Sequence, residues 1–168
     1  MSVSMYQASV PALIRGLNNL SAILDKAAAD AAARNIAPEV LLNARLAPDM
    51  FALTRQVQIA SDSAKGCAAR LAGVEVPSYA DDEASFADLQ QRIAKTVAFL
   101  QGFNAAQIDG SEAREVVLKV RGDEIRFSGQ NYLLGFVLPN FYFHLTAAYA
   151  ILRHNGVALG KMDYLGGV

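Results

Sequence analysis

Apolar residues recur at alternating spacings of three and four positions in four long segments of the chain, and this periodicity constrains the fold more than any other feature. The segments cover residues 10–31, 50–71, 86–100 and about 139–155 of the 168-residue sequence. Such spacings place the apolar side chains on one stripe of an α-helix, which must be buried against other helices. We therefore predict a mainly all-α protein, an antiparallel four-helix bundle in a single domain that spans residues 1–168.

Prolines, glycines and capping residues mark where the helices should begin and end. Pro48 is expected to begin the second long helix and Gly73 to end it. Asp49 would then complement the helix dipole from the first turn. Asp81 or Ser85 is expected to cap the third long helix.

The segment before the last helix has the pattern of strands. Residues 115–120 and 124–127 are rich in β-branched and apolar residues and flank the triplet Arg121-Gly122-Asp123. Two such runs around a short glycine-containing turn predict a β-hairpin. Because a lone two-stranded hairpin is marginally stable in water, we expect it to lie against the bundle.

Composition and charge exclude several classes of protein. The formal net charge is −1 and the 15 basic residues are scattered, which argues against nucleic acid as a partner. Polar residues interrupt every apolar stretch before the roughly 20 residues that a membrane span needs. The N-terminal residues lack the pattern of a signal peptide, so we expect a cytoplasmic protein without a membrane partner.

The last long helix is apolar on nearly every side. Leu138, Tyr142, Leu145, Tyr149 and Leu152 form one apolar face, and a second face lies beside it. A helix of this kind needs burial on most sides. We therefore expect a homodimer that buries this helix, unless the C-terminal tail, which includes the sequence YLGGV, folds back over it.

The two histidines of the chain, His144 and His154, both fall on the last helix. They are ten residues apart, a rise of roughly 15 Å, so they cannot bind one metal ion together. His154 lies in the last turn, where an imidazolium would favour the negative end of the helix dipole. His144 faces the interior, where it is either a hydrogen-bonded core histidine or part of a site.

The second long helix offers polar groups that could accompany His144. Gln58 and Asp62 are four residues apart and share a face, whereas Gln56 lies on a different side. Asp62 could act with His144, or it could simply pair with Lys65 on a solvated face. Cys67 is the one cysteine, so no internal disulfide and no multi-cysteine zinc site can form, and we expect a packed thiol.

Two stretches, LAPDMFALTRQVQIASDSAKGCAARLAG and LPNFYFHLTAAYAILRHNGVALGK, carry a resemblance to a known family. They resemble the bacterial domain of unknown function 1993, a family within the DinB/YfiT-like superfamily of helical bundles. The resemblance implies a four-helix bundle that is commonly dimeric. The wider superfamily includes metal-dependent thiol transferases, whose metal is held by one histidine on the second helix and two, spaced by four, on the last.

This sequence matches that metal site at one position. His144 corresponds to the first of the two late histidines, the position of the second is Ala148, and the second helix has no histidine. A single imidazole with carboxylate and amide oxygens would hold zinc or nickel weakly compared with three nitrogens. We therefore expect no complete metal site and no cofactor, with zinc or nickel as the ions to test.

Three functional hypotheses follow. In the first, a pocket near His144, lined by Gln58, Phe141, Tyr142 and apolar side chains, binds a small molecule without catalysis. In the second, His144 with Asp62 or Gln58 catalyses thiol or small-group transfer, with His144 as a general base or the one imidazole ligand of a metal. In the third, the protein is a structural homodimer whose last helix is the interface, and substitution of Tyr149 or Leu152 would separate the subunits.

Overall fold

The computed structural model describes residues 3–120 and 122–167 and confirms the predicted helical bundle with a hairpin before the last helix. Four long helices, α1, α3, α4 and α7, pack around one hydrophobic core. The elements in chain order are α1 (Met5–Ala33), α2 (Pro38–Leu42), α3 (Leu53–Ala72), α4 (Phe86–Gln101), α5 (Ala105–Ile108), β1 (Glu115–Val120), β2 (Asp123–Ser128), α6 (Gly129–Asn131), a π-helical segment (Tyr132–Val137), α7 (Leu138–His154) and α8 (Lys161–Leu165).

The long helices run antiparallel in two pairs, α1 with α4 and α3 with α7. By contrast, α3 and α4 run in the same direction, because the connection over residues 73–85 returns along the bundle. For α1 and α4 the hydrogen bonds that show the direction join Ser21 to Gln90 and Tyr6 to Asp109. For α3 and α7 they join Gln56 to His144 and Ser63 to Asn140. For α3 and α4 they join Gln58 to Glu83 and Asp62 to Arg92.

The second long helix, α3, begins five residues later than the sequence predicts. Pro48 lies in a turn in which the Met50 N–H donates to the Ala47 carbonyl, and α3 begins at Leu53. A proline fits such a turn as well as it fits the first turn of a helix. Asp49 therefore lies outside the helix, and the prediction that it complements the helix dipole is wrong. Gly73, in the left-handed conformation, ends α3 as predicted.

The predicted hairpin is confirmed. Its two strands pair antiparallel from Glu115 opposite Ser128 to Val120 opposite Asp123. Gly122 has a positive φ of 95°, which glycine adopts without strain, while Arg121 of the predicted turn lies outside the described residues. Val116 and Leu118 are buried, so alternate side chains of β1 pack against the bundle as expected.

The last helix is longer than predicted. Helical structure runs from Gly129 through α6 and the π-helical segment into α7. In the π-helical segment the Leu138 N–H donates to the carbonyl of Leu133, five residues back. Pro139 explains the wide turn, because it has no N–H to donate and its ring would crowd the carbonyl of Gly135 in a regular α-helix.

By length and composition alone, this helix could cross a membrane. Within the described residues it is the one helix that is long and apolar enough for this. Each uninterrupted apolar run of the sequence is shorter than a membrane span, whereas an average over the whole helix tolerates isolated polar residues such as Asn140 and His144. In this structure the helix packs along α3 and α1.

The C-terminal tail covers the face of α7 that the predicted dimer interface would use. Arg15 Nη2 donates to the Leu165 carbonyl, which fixes α8 on α1. The ring of Tyr164 on α8 packs edge-on against Tyr149, with centroids 5.9 Å apart, and Leu152 is fully buried in the core. The homodimer stays a prediction, but its interface cannot rest on Leu152.

Candidate functional site

His144 is the histidine that the sequence places in the interior, and the structure buries it to 6% exposure on α7. It lies beside the fully buried side chains of Phe141, Ala148 and Ile151, as the periodicity predicts. Its Nδ1 is 2.7 Å from Oε1 of Gln56 on α3. The pair therefore joins the two helices that, in the wider superfamily, carry the metal ligands.

Gln56 fixes the tautomer of the imidazole. Its Nε2 donates to the Phe51 carbonyl over 3.0 Å, and a carbonyl can only accept a hydrogen bond. The amide oxygen, which is also only an acceptor, must therefore face His144. It follows that Nδ1 carries the proton in the neutral ring and that Nε2 has the free lone pair.

The imidazole is held neutral near neutral pH. Burial lowers the pKa of His144 below its ordinary value, and the positive charge of Arg55 lowers it further. Among the described residues, the Ser111 hydroxyl is the only fully buried side-chain polar atom without a hydrogen-bond partner. Nε2 bonds no described group, so it keeps contact with solvent and is available as an acceptor, base or ligand.

An apolar cavity of about 380 Å³ lies along the outer side of α7, and Phe143, the neighbour of His144 in the chain, lines it while His144 does not. It is lined by Leu46 and Met50 from the α2–α3 connection and by Tyr142, Phe143, Thr146, Ala147 and Ala150 from α7. The Phe143 ring also contacts the imidazole edge-on, with centroids 5.2 Å apart. Phe143 is thus the wall that the cavity and the histidine share.

The two aromatic residues predicted to line a pocket differ in position. Tyr142 lines the cavity along the outer side of α7, and its role in binding stays a prediction. Phe141 is fully buried and does not reach it. A Cβ on Gly16 would lie 2.6 Å from the Phe141 ring, so Gly16 is the residue that allows α1 to approach this part of α7.

Asp62 and Gln58 belong to a different polar cluster, between α3 and α4. Asp62 accepts from Arg92 Nη2 at 2.7 Å and pairs with Lys65 at 2.8 Å, and Gln58 donates to Glu83. Gln56 and Asp62 are six residues apart, which places them about 120° apart around the axis of α3. The side of α3 that faces α7 is that of Gln56, and not that of Gln58 and Asp62.

Arg92 is the central residue of this second cluster, and sequence reasoning missed it. Its side chain is 2% exposed and contacts Asp62, Asp81 and Glu83. The signal was present, because Arg92 falls between Leu89, Ile93 and Thr96 in the apolar stripe of α4. A charged residue in such a stripe indicates a buried ion-pair partner.

The donor atoms around His144 do not make the superfamily's metal site. In the described part of the chain, no three His, Cys, Asp or Glu side chains lie close enough to hold one metal ion. Ala148 has no donor atom, and the α3 residue that faces His144 is an amide. Cys67 is buried elsewhere in the core, and burial raises the pKa of its thiol to about 12.

Further polar pairs continue along the contact between α3 and α7. Asn140 Nδ2 donates to the Ser63 hydroxyl at 2.8 Å, and Arg70 Nη1 donates to the Tyr132 hydroxyl at 3.0 Å. The α3 residues of these pairs and of the His144 pair are Gln56, Ser63 and Arg70. They follow one another at intervals of seven residues, so they lie on one face of the helix. We call these three pairs the α3–α7 polar row.

Comparisons with known proteins agree with this architecture. The model of a domain of unknown function, DUF1993, matches residues 5–165. A DinB family member protein from Shewanella denitrificans, known from a crystal structure, has 43% sequence identity to this chain and superimposes on it with a TM-score of 0.87. The match covers 97% of this chain and 92% of the other. No functionally curated protein matches the sequence. The chain therefore belongs to the DUF1993 family and has the fold of the DinB-like helical bundles.

Proposed function

We propose that this DinB-like protein binds a small, mainly apolar molecule in the cavity lined by Phe143, and that a polar group of the ligand reaches past this ring to donate one hydrogen bond to Nε2 of His144. The observation that carries the proposal is the fixed tautomer. The Phe51 carbonyl orients the Gln56 amide, which holds the proton on Nδ1 and leaves Nε2 free. Ligand sites commonly combine apolar walls with a few such oriented polar groups.

The surroundings support a neutral ligand. The lowered pKa keeps the imidazole uncharged, and the cavity is lined almost wholly by apolar side chains. A charged ligand would lose its hydration there without gaining a partner charge. A hydroxyl or amide N–H on an apolar body satisfies both the cavity and the free nitrogen.

Phenol and anisole form a matched pair of probes, because both have an aromatic ring and only phenol has a hydrogen to donate. We expect phenol to bind saturably and to shift the Nε2 resonance of His144 in a ¹⁵N NMR titration. Anisole should bind about tenfold more weakly, which corresponds to one lost hydrogen bond. His144→Ala should remove the preference for phenol, whereas His154→Ala, at the exposed end of α7, should preserve it.

Equal binding of the two probes, or a phenol preference that survives His144→Ala, would contradict the proposal. Phe143→Ala provides a second check on the cavity itself. It shortens the shared wall without touching a hydrogen bond, so it should weaken phenol and anisole alike.

A homodimer is the second candidate, and exposed apolar side chains support it. Phe143 is 56% exposed and Leu46 40%, and both line the cavity, while Phe51, in the same α2–α3 connection as Leu46, is 55% exposed. Exposed apolar groups of this size favour an interface. If a second copy covers them, Phe143→Glu should convert a dimer to a monomer in analytical ultracentrifugation, whereas Phe143→Leu should not.

Catalysis by His144 is the remaining candidate. The atom that would act as general base or metal ligand in thiol or small-group transfer is the same free Nε2, and its Gln56 partner resembles the groups that orient metal-bound histidines. Asp62 would have no part in it, because its charge is used by Arg92 and Lys65. The cytoplasmic location and the lack of nucleic-acid and membrane partners remain predictions.

A further inference from the structure

We propose a second binding site, for a small organic carboxylate, at the opposite end of the α3–α7 polar row. A cavity of about 230 Å³ lies there between α3, β1 and the π-helical segment. Its polar lining includes Ser63, Arg70, Lys119 and Asn140. Arg70 is 14 residues from Gln56 along α3, a rise of about 21 Å, so this site is separate from the cavity beside His144.

Arg70 is held in place with part of its guanidinium group left free. Nη1 donates to the hydroxyl of Tyr132, whose side chain is 1% exposed. Within residues 3–120 and 122–167, Arg70 makes no ion pair and no other side-chain hydrogen bond. The edge formed by Nε and Nη2 therefore remains available, and two parallel N–H groups on one edge match the two oxygens of a carboxylate.

The backbone beneath Arg70 is shaped to accommodate it. A Cβ on Gly66 would lie 2.3 Å from Nη1, so the guanidinium group occupies the space that any other residue at position 66 would fill. Burial raises the pKa of Tyr132 to about 12, so its hydroxyl stays protonated. The arginine is thus positioned by a glycine on one side and a buried phenol on the other.

The charges at the cavity favour an anion. Lys119 lines it and, in the described part of the chain, forms no ion pair; its cross-strand neighbour Glu124 pairs with Arg126. Asp62 also lines the cavity, but Arg92 and Lys65 already neutralise its carboxylate. Two cations without carboxylate partners therefore face one small space.

The remaining walls favour an organic acid over a bare inorganic anion. Leu118, Phe136 and Val137 supply apolar lining to the cavity, which Asn140 and Ser63 also line. A carboxylate on a short apolar body would use the arginine edge and the apolar wall at once. Inorganic phosphate would use the cations and leave the apolar wall without a partner.

The test compares benzoate with benzamide, which has the same shape without the charge. In an NMR titration of the full chain, we expect saturable shifts with benzoate at the amides of residues 63, 70 and 140, and binding at least about tenfold weaker with benzamide. Arg70→Gln should weaken benzoate binding by a similar factor. Arg153→Gln, at an exposed arginine in the last turn of α7, should leave it unchanged.

Gly66→Ala makes the sharpest variant, because it keeps every charge and replaces a helical glycine by the best helix former. The new methyl group displaces the flexible guanidinium group, so benzoate binding should fall about tenfold while the far-UV spectrum and melting temperature are maintained or raised. Benzoate shifts that persist in both Gly66→Ala and Arg70→Gln would overturn the proposal. So would an absence of saturable shifts in the wild-type protein, or tighter binding of inorganic phosphate than of benzoate.

Discussion

Two polar clusters lie on opposite sides of α3, and they use their hydrogen-bonding capacity differently. On the α4 side, Arg92 uses four of its five N–H groups: Nε donates to Ser61, Nη1 to the Ala80 carbonyl and Glu83, and Nη2 to Asp62. On the α7 side, the His144–Gln56 pair uses one imidazole nitrogen and leaves the other free. Both clusters are buried and both join two helices.

The difference shows that residue type alone does not identify a site. Carboxylates and arginines are common in active sites, yet here every one of their strong contacts is internal, which is typical of a structural ion-pair network. The amide–imidazole pair carries no charge, but one of its hydrogen-bonding atoms, Nε2 of His144, remains without a partner among the described residues. The proposed ligand site therefore rests on an unpartnered atom of a well-held group, and not on a concentration of charge.

The largest expected effect is on the ion-pair cluster around Arg92. Arg92→Met should lower the free energy of unfolding by about 3–5 kcal/mol, because it leaves Asp62, Asp81 and the 9%-exposed Glu83 without their shared cation. Chemical denaturation measures it. Lys95→Met is the control, because Lys95 is an exposed cation over the same Tyr79 ring that Arg92 contacts, and it should cost less than about 0.5 kcal/mol.

Similar stabilities for the two variants would mean that the Arg92 network contributes little and that the contrast between the clusters is overstated.

A smaller loss is expected on the α7 side. Gln56→Leu removes the acceptor of His144 and the donor to the Phe51 carbonyl, which should cost about 1–3 kcal/mol in denaturation experiments. It should also release the tautomer, so that ¹⁵N spectra of the imidazole show a mixture of protonation sites. Gln91→Leu, at an exposed glutamine of α4, should change neither property.

An unchanged tautomer in Gln56→Leu would show that another group orients the ring.

The two clusters should lose their contributions to stability at different pH values. Because the pKa of His144 is lower in the folded than in the unfolded protein, stability is complete above about pH 6.5 and falls as the pH drops towards the folded value. On the other side, burial opposes the ionisation of Asp81, but Arg55 and Arg92 outweigh it and lower its pKa, so that contribution is lost only at more acidic pH.

Urea titrations at a series of pH values measure this dependence. His144→Gln should abolish the loss that begins below about pH 6.5 and retain the more acidic one that belongs to Asp81. A loss in the upper range that persists in the variant would contradict the assignment to His144.

The smallest effect concerns metal. We expect untagged protein to contain well under one equivalent of zinc or nickel per chain, because one imidazole binds such ions weakly. Elemental analysis of the wild type and of His144→Ala decides it. One equivalent in the wild type that is lost in the variant would favour the metal-dependent hypothesis over a purely apolar ligand site.

The fold could be predicted because it depends on local periodicity, whereas the site depends on how two helices face each other. The stripes of α1 and α4 and the hairpin need only neighbouring residues. The start of α3 was misplaced because Pro48 suits a turn and a helix start alike. His144 could be placed in the interior from its own helix, but its partner depended on which side of α3 faces α7, a tertiary property that the sequence of α3 does not reveal.

The π-helical segment has a consequence for the angular phase of the last helix. Tyr132 and Asn140 are eight residues apart, and in a regular α-helix eight steps of about 100° would leave them about 80° out of alignment. The wide turn takes up an additional residue and rotates the earlier stretch back, so that Tyr132 meets Arg70 while Asn140 meets Ser63. Because Pro139 cannot complete a helical hydrogen bond, the wide turn before it changes the direction in which the preceding side chains point around the helix axis. Residues from both sides of the irregular turn can therefore line one cavity.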